Sequence, residues 1–324
     1  MSGQPLAPLF AAPARQRSPF DWLAWAAPAL AVLLAVPALS VAFHLFLPSQ
    51  GAGAHLAATV LGTYVFNTLV LTIAVAAGVG FGGVATAWLV TMCEFPGRRH
   101  FEWALVLPLA MPAYVIAYAY TDLLQFTGPV QSALRAATGW GAGDYWFPPI
   151  RSLGGAAVMF VMVLYPYVYL LARSAFLEQS VCVLDVSRTL GCGPWASFFR
   201  VALPLARPSI AAGVALALME VLNDFGTVDY FAVPTFTTGI YRAWFTLGDR
   251  VGAAQLAAGL LAFAFALLLL ERQSRALARH HHTSQRYQAL PSYRLRGWRA
   301  AAAMFICAVP VVLVVGVACA VAQG

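Results

Sequence analysis

Glu220 and Asp224 stand four residues apart in the stretch Ile210–Val233, whose only charges are these two and Asp229. A spacing of four places both carboxylates on one face of a helix. Asp229, nine residues from Glu220, falls about 180° away unless Gly226 interrupts the helix. Carboxylates in an apolar span are costly and face a bundle interior or an aqueous path. Their oxygens suit hard cations. Two readings are open: the pair lines the path of a cation, or it ties helices together or meets an arginine at a membrane face. Tyr114, Tyr118, Tyr165, Tyr167 and Tyr169 bring hydroxyls into apolar runs, where they line a path or pack helices; Tyr114 and Tyr118 are the path candidates. His280-His281-His282 has the look of a metal tract, but in an arginine-rich segment it reads as a solvated charge run. The five cysteines, Cys93, Cys182, Cys192, Cys307 and Cys319, form no CxxC and no zinc spacing with histidine, so they read as free thiols. There is no Walker glycine loop, HExxH or GxSxG. The chain is therefore not expected to be an enzyme or to hydrolyse ATP on its own.

The elements that position these groups follow from composition. Of 324 residues, 61% are hydrophobic and 10% charged, and the mean hydropathy is +0.76. These values exclude a water-soluble enzyme, a disordered chain and a disulfide scaffold. The apolar runs exceed the ~18 residues that signal a spanning helix. The fold class is an all-α membrane protein, a polytopic helical bundle. Seven spans are expected: Trp22–Leu47, about 64–93, Phe101–Leu124, Leu153–Ala172, Ile210–Val233, Ala254–Leu270 and about 300–321. The first is too long for a signal-peptide core, despite the small residues Ala52-Gly53-Ala54 after it, and reads as an uncleaved signal anchor. With the N-terminus in the cytoplasm, fifteen of the nineteen arginines fall inside, and only Arg135, Arg151, Arg242 and Arg250 fall outside. Cytoplasmic segments carry the cations of membrane proteins, which fixes this orientation and explains the net charge of +7 without nucleic acid. Trp140, Tyr145, Trp146 and Phe147 fit an outer aromatic belt. Pro108, Pro112 and Pro166 lie inside spans, where each carbonyl they free must find another partner.

The segment 178–207 between the fourth and fifth spans reads EQSVCVLDVSRTLGCGPWASFFRVALPLAR. It suggests two short helices around Gly191. The second begins at Pro194, with Trp195, Phe198 and Phe199 on one face, and Leu203-Pro204 is expected to break it. Such an aromatic face could lie on a membrane or dock into a groove of another protein. Here the sequence resembles the permease subunits of binding-protein-dependent ABC importers, whose cytoplasmic motif is E-A-A-x3-G-x9-I-x-L-P. Asp185-Val186-Ser187 stand at E-A-A, Gly191 at the glycine, Val201 at the isoleucine and Leu203-Pro204 at the end. The departures are Asp for Glu, Val for the first Ala and Ser for the second. The resemblance runs from about Asn67 to Arg275. Glu94–Arg99, Leu107–Tyr114 and Met219–Val228 look like the ferric-iron branch.

The resemblance implies the type I ABC importer permease fold in the bacterial inner membrane. Its coupling loop would carry Asp185, Ser187, Gly191, Trp195, Phe198, Val201, Leu203 and Pro204. Its partners would be a cytoplasmic ATPase dimer, a periplasmic substrate-binding protein and a second permease half, fused or separate. ATP and Mg would belong to the ATPase, with no cofactor in this chain. The cargo would be iron(III), with Glu220 and Asp224 on its path; thiamine, polyamine, phosphonate or sulfate are the other cargoes, and a membrane-embedded enzyme or assembly factor the other class. The expected organisation is a cytoplasmic leader (1–20), a six-span core (21–275), an arginine- and histidine-rich linker (276–299) and a seventh span (300–324). Shifting the N-terminus by 273 residues puts Trp25 on Trp298 and Ala35-Val36-Pro37 on Ala308-Val309-Pro310. The chain thus looks like the first half of a tandem permease plus the first span of the second. That last helix is expected to have its packing partners in the second repeat.

Overall fold

The computed structural model describes residues 22–47, 59–141, 143–178, 191, 193–276 and 293–317. The leader, Ala52–Ala54, Asp185, Ser187, His280–His282 and most of the linker lie outside the described residues. In lipid every backbone polar group must be satisfied within the chain, which these apolar runs achieve as helices. Among the described residues six helices are long and apolar enough to span, and one pair bent by 91°, Arg98–Ala110 with Ala113–Thr138, has the length and composition of a broken span or a re-entrant loop. Helix α1 is Trp22–Phe43, continued by a 3-10 turn at His44–Phe46. Helix α2 is Leu61–Met92 and leads into the short strand β1, Cys93–Glu94. Helices α3 (Arg98–Ala104), α4 (Ala113–Leu124) and α5 (Pro129–Thr138) precede the long α6, Leu153–Glu178. Then come α7 (Pro194–Ser197), α8 (Leu203–Asn223), α9 (Gly226–Tyr230), α10 (Phe236–Tyr241) and α11 (Arg250–Ala276). Strand β2, Tyr293–Arg294, precedes α12, Trp298–Val311.

The core is the trio α2, α6 and α8, with Leu71, Val75, Val79, Phe160, Val168, Tyr169 and Ala217 fully buried. Glycines let the trio close. A Cβ on Gly83 would lie 2.6 Å from Val168 Cβ and 2.8 Å from Tyr169 N. One on Gly213 would lie 2.8 Å from Val168 Cα. Helix α6 is therefore gripped at Val168 from both sides, by backbone that cannot move aside cheaply. Gly213→Val is expected to destabilise by about 2–3 kcal/mol, the upper part of the overpacking range. Thermal denaturation in detergent measures it.

The third span is not the single helix 101–124 that its hydropathy suggests. It breaks between Ala110 and Ala113, and the two parts are bent by 91°. The cause is the spacing of its prolines. Pro112 holds Met111 out of the helical region, at φ −102°, ψ 123°, and Pro108 sits in a tight 3-10 turn, Leu107–Ala110. Val106 N–H turns back to Trp103 O and Leu109 N–H to Val106 O, so the carbonyls of Glu102 and Leu105 lose their helical donors. Two tyrosines of α6 replace them: Tyr169 donates to Glu102 O at 3.1 Å and Tyr165 to Leu105 O at 2.8 Å. Tyr165→Phe should cost about 1–3 kcal/mol, because it leaves a buried carbonyl unpaired while barely changing volume. An unchanged melting temperature would show that the bond contributes nothing.

The fifth span also differs. Leu203-Pro204 does not end the helix. A π turn at Phe198–Ala202 joins α7 to α8, with Leu203 N–H reaching Phe198 O. The widened turn accommodates the proline, whose missing N–H falls where the ladder is already re-registered. Trp195–Asn223 is thus one 29-residue apolar helix. At its far end Asp224 turns extended, with ψ 125°, so residues 224–233 leave the span.

The seventh helix corrects a third expectation. Its partners are not absent: Ala300, Ala303, Cys307 and Val314 are buried in the main core. Helix α12 packs on α2, α3 and the 3-10 turn, and its terminal π turn, Val312–Gly316, packs on α6. Tyr120 of α4 donates to Leu313 O at 2.8 Å. The end of the linker is also docked. β2 pairs parallel with β1, Leu295 N–H reaches Glu94 O at 3.0 Å, and Arg294 pairs with Glu94 at 3.1 Å.

Candidate functional site

The two groups of candidate residues lie at opposite ends of the Trp195–Asn223 helix. At about 1.5 Å per residue, Trp195 and Glu220 are separated by roughly 37 Å along one continuous rod.

At the first end, Gly191 has φ +80°, a left-handed conformation that a side chain disfavours. A Cβ there would meet nothing within 4 Å, so the requirement is conformational and not one of space. Trp195, Phe198 and Phe199 do not share one fate. Phe198 is buried, with its ring 4.6 Å from Trp88 of α2, and Trp88 meets Phe176 of α6 edge-on at 5.5 Å. Trp195 is 71% exposed and stacks on Phe199, 59% exposed, at 6.3 Å. Trp195 and Phe199, four residues apart, keep one side of the helix, while Phe198, about 100° from Phe199, turns to the core. One ring anchors the loop to three core helices and two remain available to a partner. Val201 and Leu203 pack partly buried against the core, and Ala202 between them is fully buried.

At the second end, Glu220 and Asp224 line one cavity of about 270 Å³ with Tyr114, Tyr167, Phe160, Met111 and Pro112. The break in the third span builds half of it, since Leu109–Tyr114 form one wall. Tyr167 donates to Glu220 Oε1 at 3.4 Å. Asp224 caps α9: its Oδ1 accepts Thr227 N–H at 2.7 Å and its Oδ2 accepts the Thr227 hydroxyl at 3.0 Å. No arginine or histidine lines this cavity among the described residues. The structure therefore brings Glu220, Asp224 and Tyr114 together. It leaves Tyr118 outside, its ring 5.9 Å from Tyr230, and assigns Tyr165 and Tyr169 to backbone carbonyls. Asp229 lines a separate cavity of about 460 Å³ with Arg242, Tyr64 and Tyr241.

These features coincide with a family. Residues 83–281 match the binding-protein-dependent transport system inner membrane component. The chain is 31% identical over 194 residues to the molybdenum transport system permease protein ModB of Escherichia coli, covering 58% of this chain and 82% of that protein. It is 26% identical over 205 residues to the Fe(3+)-transport system permease protein FbpB 2 of Haemophilus influenzae, spanning 63% of this chain but 36% of that one. Its fold matches that of a chain from a bacterial alginate ABC transporter, with a TM-score of 0.60 at 16% identity, covering 81% of this chain and 97% of that chain. It also matches a chain of the MetNI methionine ABC transporter, with a TM-score of 0.51, again at 16% identity, covering 68% of this chain and 96% of that one. The motif spacing around Gly191, the polytopic helical fold and the family match agree: the chain belongs to the inner membrane components of binding-protein-dependent transport systems, and is a transport subunit, not an enzyme.

Proposed function

We propose that this permease carries iron(III) inward across the inner membrane, with its N-terminus in the cytoplasm. A periplasmic binding protein delivers the cargo to the outer loops. A cytoplasmic ATPase dimer, holding ATP and Mg, docks on the loops around Gly191 of this half and its counterpart in a second half. Asp185, Ser187, Gly191 and Trp195 belong to that docking loop. The helix Trp195–Asn223, clamped through Phe198 to Trp88, carries the loop's displacement to the cavity of Glu220 and Asp224.

The observation that carries the cargo reading is the charge of that cavity. Two carboxylates and two tyrosines are hard oxygen ligands, suited to a trivalent cation. A free oxyanion would meet like charge there with no arginine to offset it. A second reading, an oxyanion such as molybdate or sulfate, draws on the relatives ModB and the Escherichia coli sulfate permease CysT, the latter 28% identical over 153 residues. Uptake of radiolabelled iron(III), molybdate and sulfate by the transporter assembled with its binding protein decides between them. Iron accumulation that depends on ATP supports the proposal; ATP-driven molybdate or sulfate accumulation without iron uptake refutes it.

A further inference from the structure

Two segments far apart in sequence fold as copies of one turn. Strands β1 and β2 pair in parallel, with Cys93 opposite Tyr293 and Glu94 opposite Arg294, a register of 200 residues. At the same offset Gly97 falls on Gly297 and Arg99 on Arg299. Both glycines have positive φ, 79° and 59°, and each is followed at once by a helix, α3 or α12. The two helices pack on each other, so the turns stay side by side. Their arginines divide into two sets. Arg294 pairs with Glu94 at 3.1 Å, and Glu102 takes both Arg98, at 3.7 Å, and Arg173, at 3.3 Å. Arg99, Arg296 and Arg299 are exposed, and among the described residues no carboxylate pairs with them. Trp103, one turn on from Arg99, and Trp298, beside Arg299, are exposed as well. This face lies at a membrane boundary. The apolar span of α12 begins at Trp298, and Phe305 and Val312, at intervals of seven, continue its exposed stripe. Strand β1 follows α2 directly, one turn beyond Trp88, whose ring meets Phe198. The face is therefore at the end of the bundle that carries the Gly191 loop.

We propose that this face binds one anionic phospholipid of the adjoining leaflet. Arg99, Arg296 and Arg299 hold the headgroup, and an acyl chain runs along Trp298, Phe305 and Val312. Charge selects the ligand. Three cations with no carboxylate to offset them attract an anion, and the guanidinium fork matches phosphate oxygens. The aromatic rings select the depth, since tryptophan sits at headgroup level with its apolar body inward and its N–H in the wet layer. The stripe beneath selects a lipid over a protein. Phe305 and Val312 lie roughly 10 and 21 Å further along the helix than Trp298, inside the apolar span, where an acidic protein surface docked on the arginines does not reach. The headgroup touches both turns. It thereby ties the start of the third span to the end of the linker, where the exposed Arg294–Glu94 pair contributes little by itself.

The test is native mass spectrometry of the whole chain in detergent, titrated with phosphatidylglycerol or with phosphatidylcholine of the same acyl chains. The native chain should retain phosphatidylglycerol at concentrations where phosphatidylcholine is lost. The triple variant Arg99→Gln, Arg296→Gln, Arg299→Gln should weaken that retention on the order of a hundredfold, because each basic group at an anionic lipid surface contributes roughly fivefold. The corresponding triple lysine variant keeps the charges and should recover most of it. Arg200→Gln with Arg207→Gln removes two exposed arginines from the helix Trp195–Asn223 and should change nothing. Equal retention of the two lipids by the native chain would overturn the proposal. So would an equal loss in the triple glutamine variant and in the Arg200→Gln, Arg207→Gln control, which would reduce the effect to general charge. A triple glutamine variant that keeps phosphatidylglycerol but no longer recovers the ATPase would overturn it too, and would assign the face to a protein.

Discussion

Gly191→Pro is expected to abolish cargo-stimulated ATP hydrolysis while the protein still inserts and folds. Proline fixes φ near −65°, and Gly191 stands at +80°. No adjustment of neighbours rescues this, since the site is open and the conflict lies in the backbone alone. Gly191→Ala has the same space but only the left-handed penalty, about 1–2 kcal/mol, so partial coupling should survive. A Cβ at Gly191 meets nothing within 4 Å, so the proline variant should keep its melting temperature. Asp185→Arg, a charge reversal at the acid proposed to face the ATPase or to cap the first short helix of the loop, should behave like Gly191→Pro. Two aromatic variants separate docking from folding. Trp195→Ala removes an exposed ring and should reduce recovery of the ATPase with the permease while leaving stability unchanged. Phe198→Ala removes the ring packed on Trp88 and should cost about 3–5 kcal/mol of stability. Normal cargo-stimulated hydrolysis in Gly191→Pro and Asp185→Arg would remove the coupling assignment.

The membrane class and six of the expected spans were legible because hydropathy is a local property, and the motif spacing singled out Gly191, which stands in the left-handed region. The departures have a common origin in backbone events that hydropathy does not register. An average over residues 101–124 cannot see that Pro112 holds Met111 extended, so the broken third span looked continuous. Leu203-Pro204 looked like a stop because proline usually ends a helix; a π turn just before it let the helix continue. That continuation joins the loop to the acid pair, a link invisible when the span is taken to start at Ile210. Glu220 and Asp224 were placed on one face by their spacing, and they do share a cavity. They share it across the end of a helix, with Asp224 already capping α9. The tyrosines were the least legible. Their residue type fits path and packing equally, and only the location of the freed carbonyls assigns Tyr165 and Tyr169 to packing and leaves Tyr167 beside Glu220. The docking of α12 was missed because a helix's partners lie far away in sequence.

Glu220→Gln is expected to lower iron(III) uptake by about tenfold, equivalent to ~1.4 kcal/mol, while ATPase binding and melting temperature hold. The side chain is exposed to the cavity and its hydrogen bond to Tyr167, at 3.4 Å, is weak. The amide keeps its size and can still accept from Tyr167, so little besides charge is removed. Asp224→Asn should behave differently. One oxygen remains to accept Thr227 N–H, and asparagine caps about as well as aspartate, so stability should be nearly kept and uptake should fall. Asp224→Ala should lose the cap as well, at about 0.5–2 kcal/mol. Comparing the asparagine and alanine variants thus separates charge on the path from anchorage of α9. The sign of the Glu220 effect also tests the cargo. A cation loses a ligand when the charge is removed, so uptake falls; an oxyanion loses a repulsive neighbour, so uptake holds or rises. Unchanged iron uptake in Glu220→Gln and Asp224→Asn, with unchanged stability, would take both acids off the path and leave Asp224 only its place as the cap of α9.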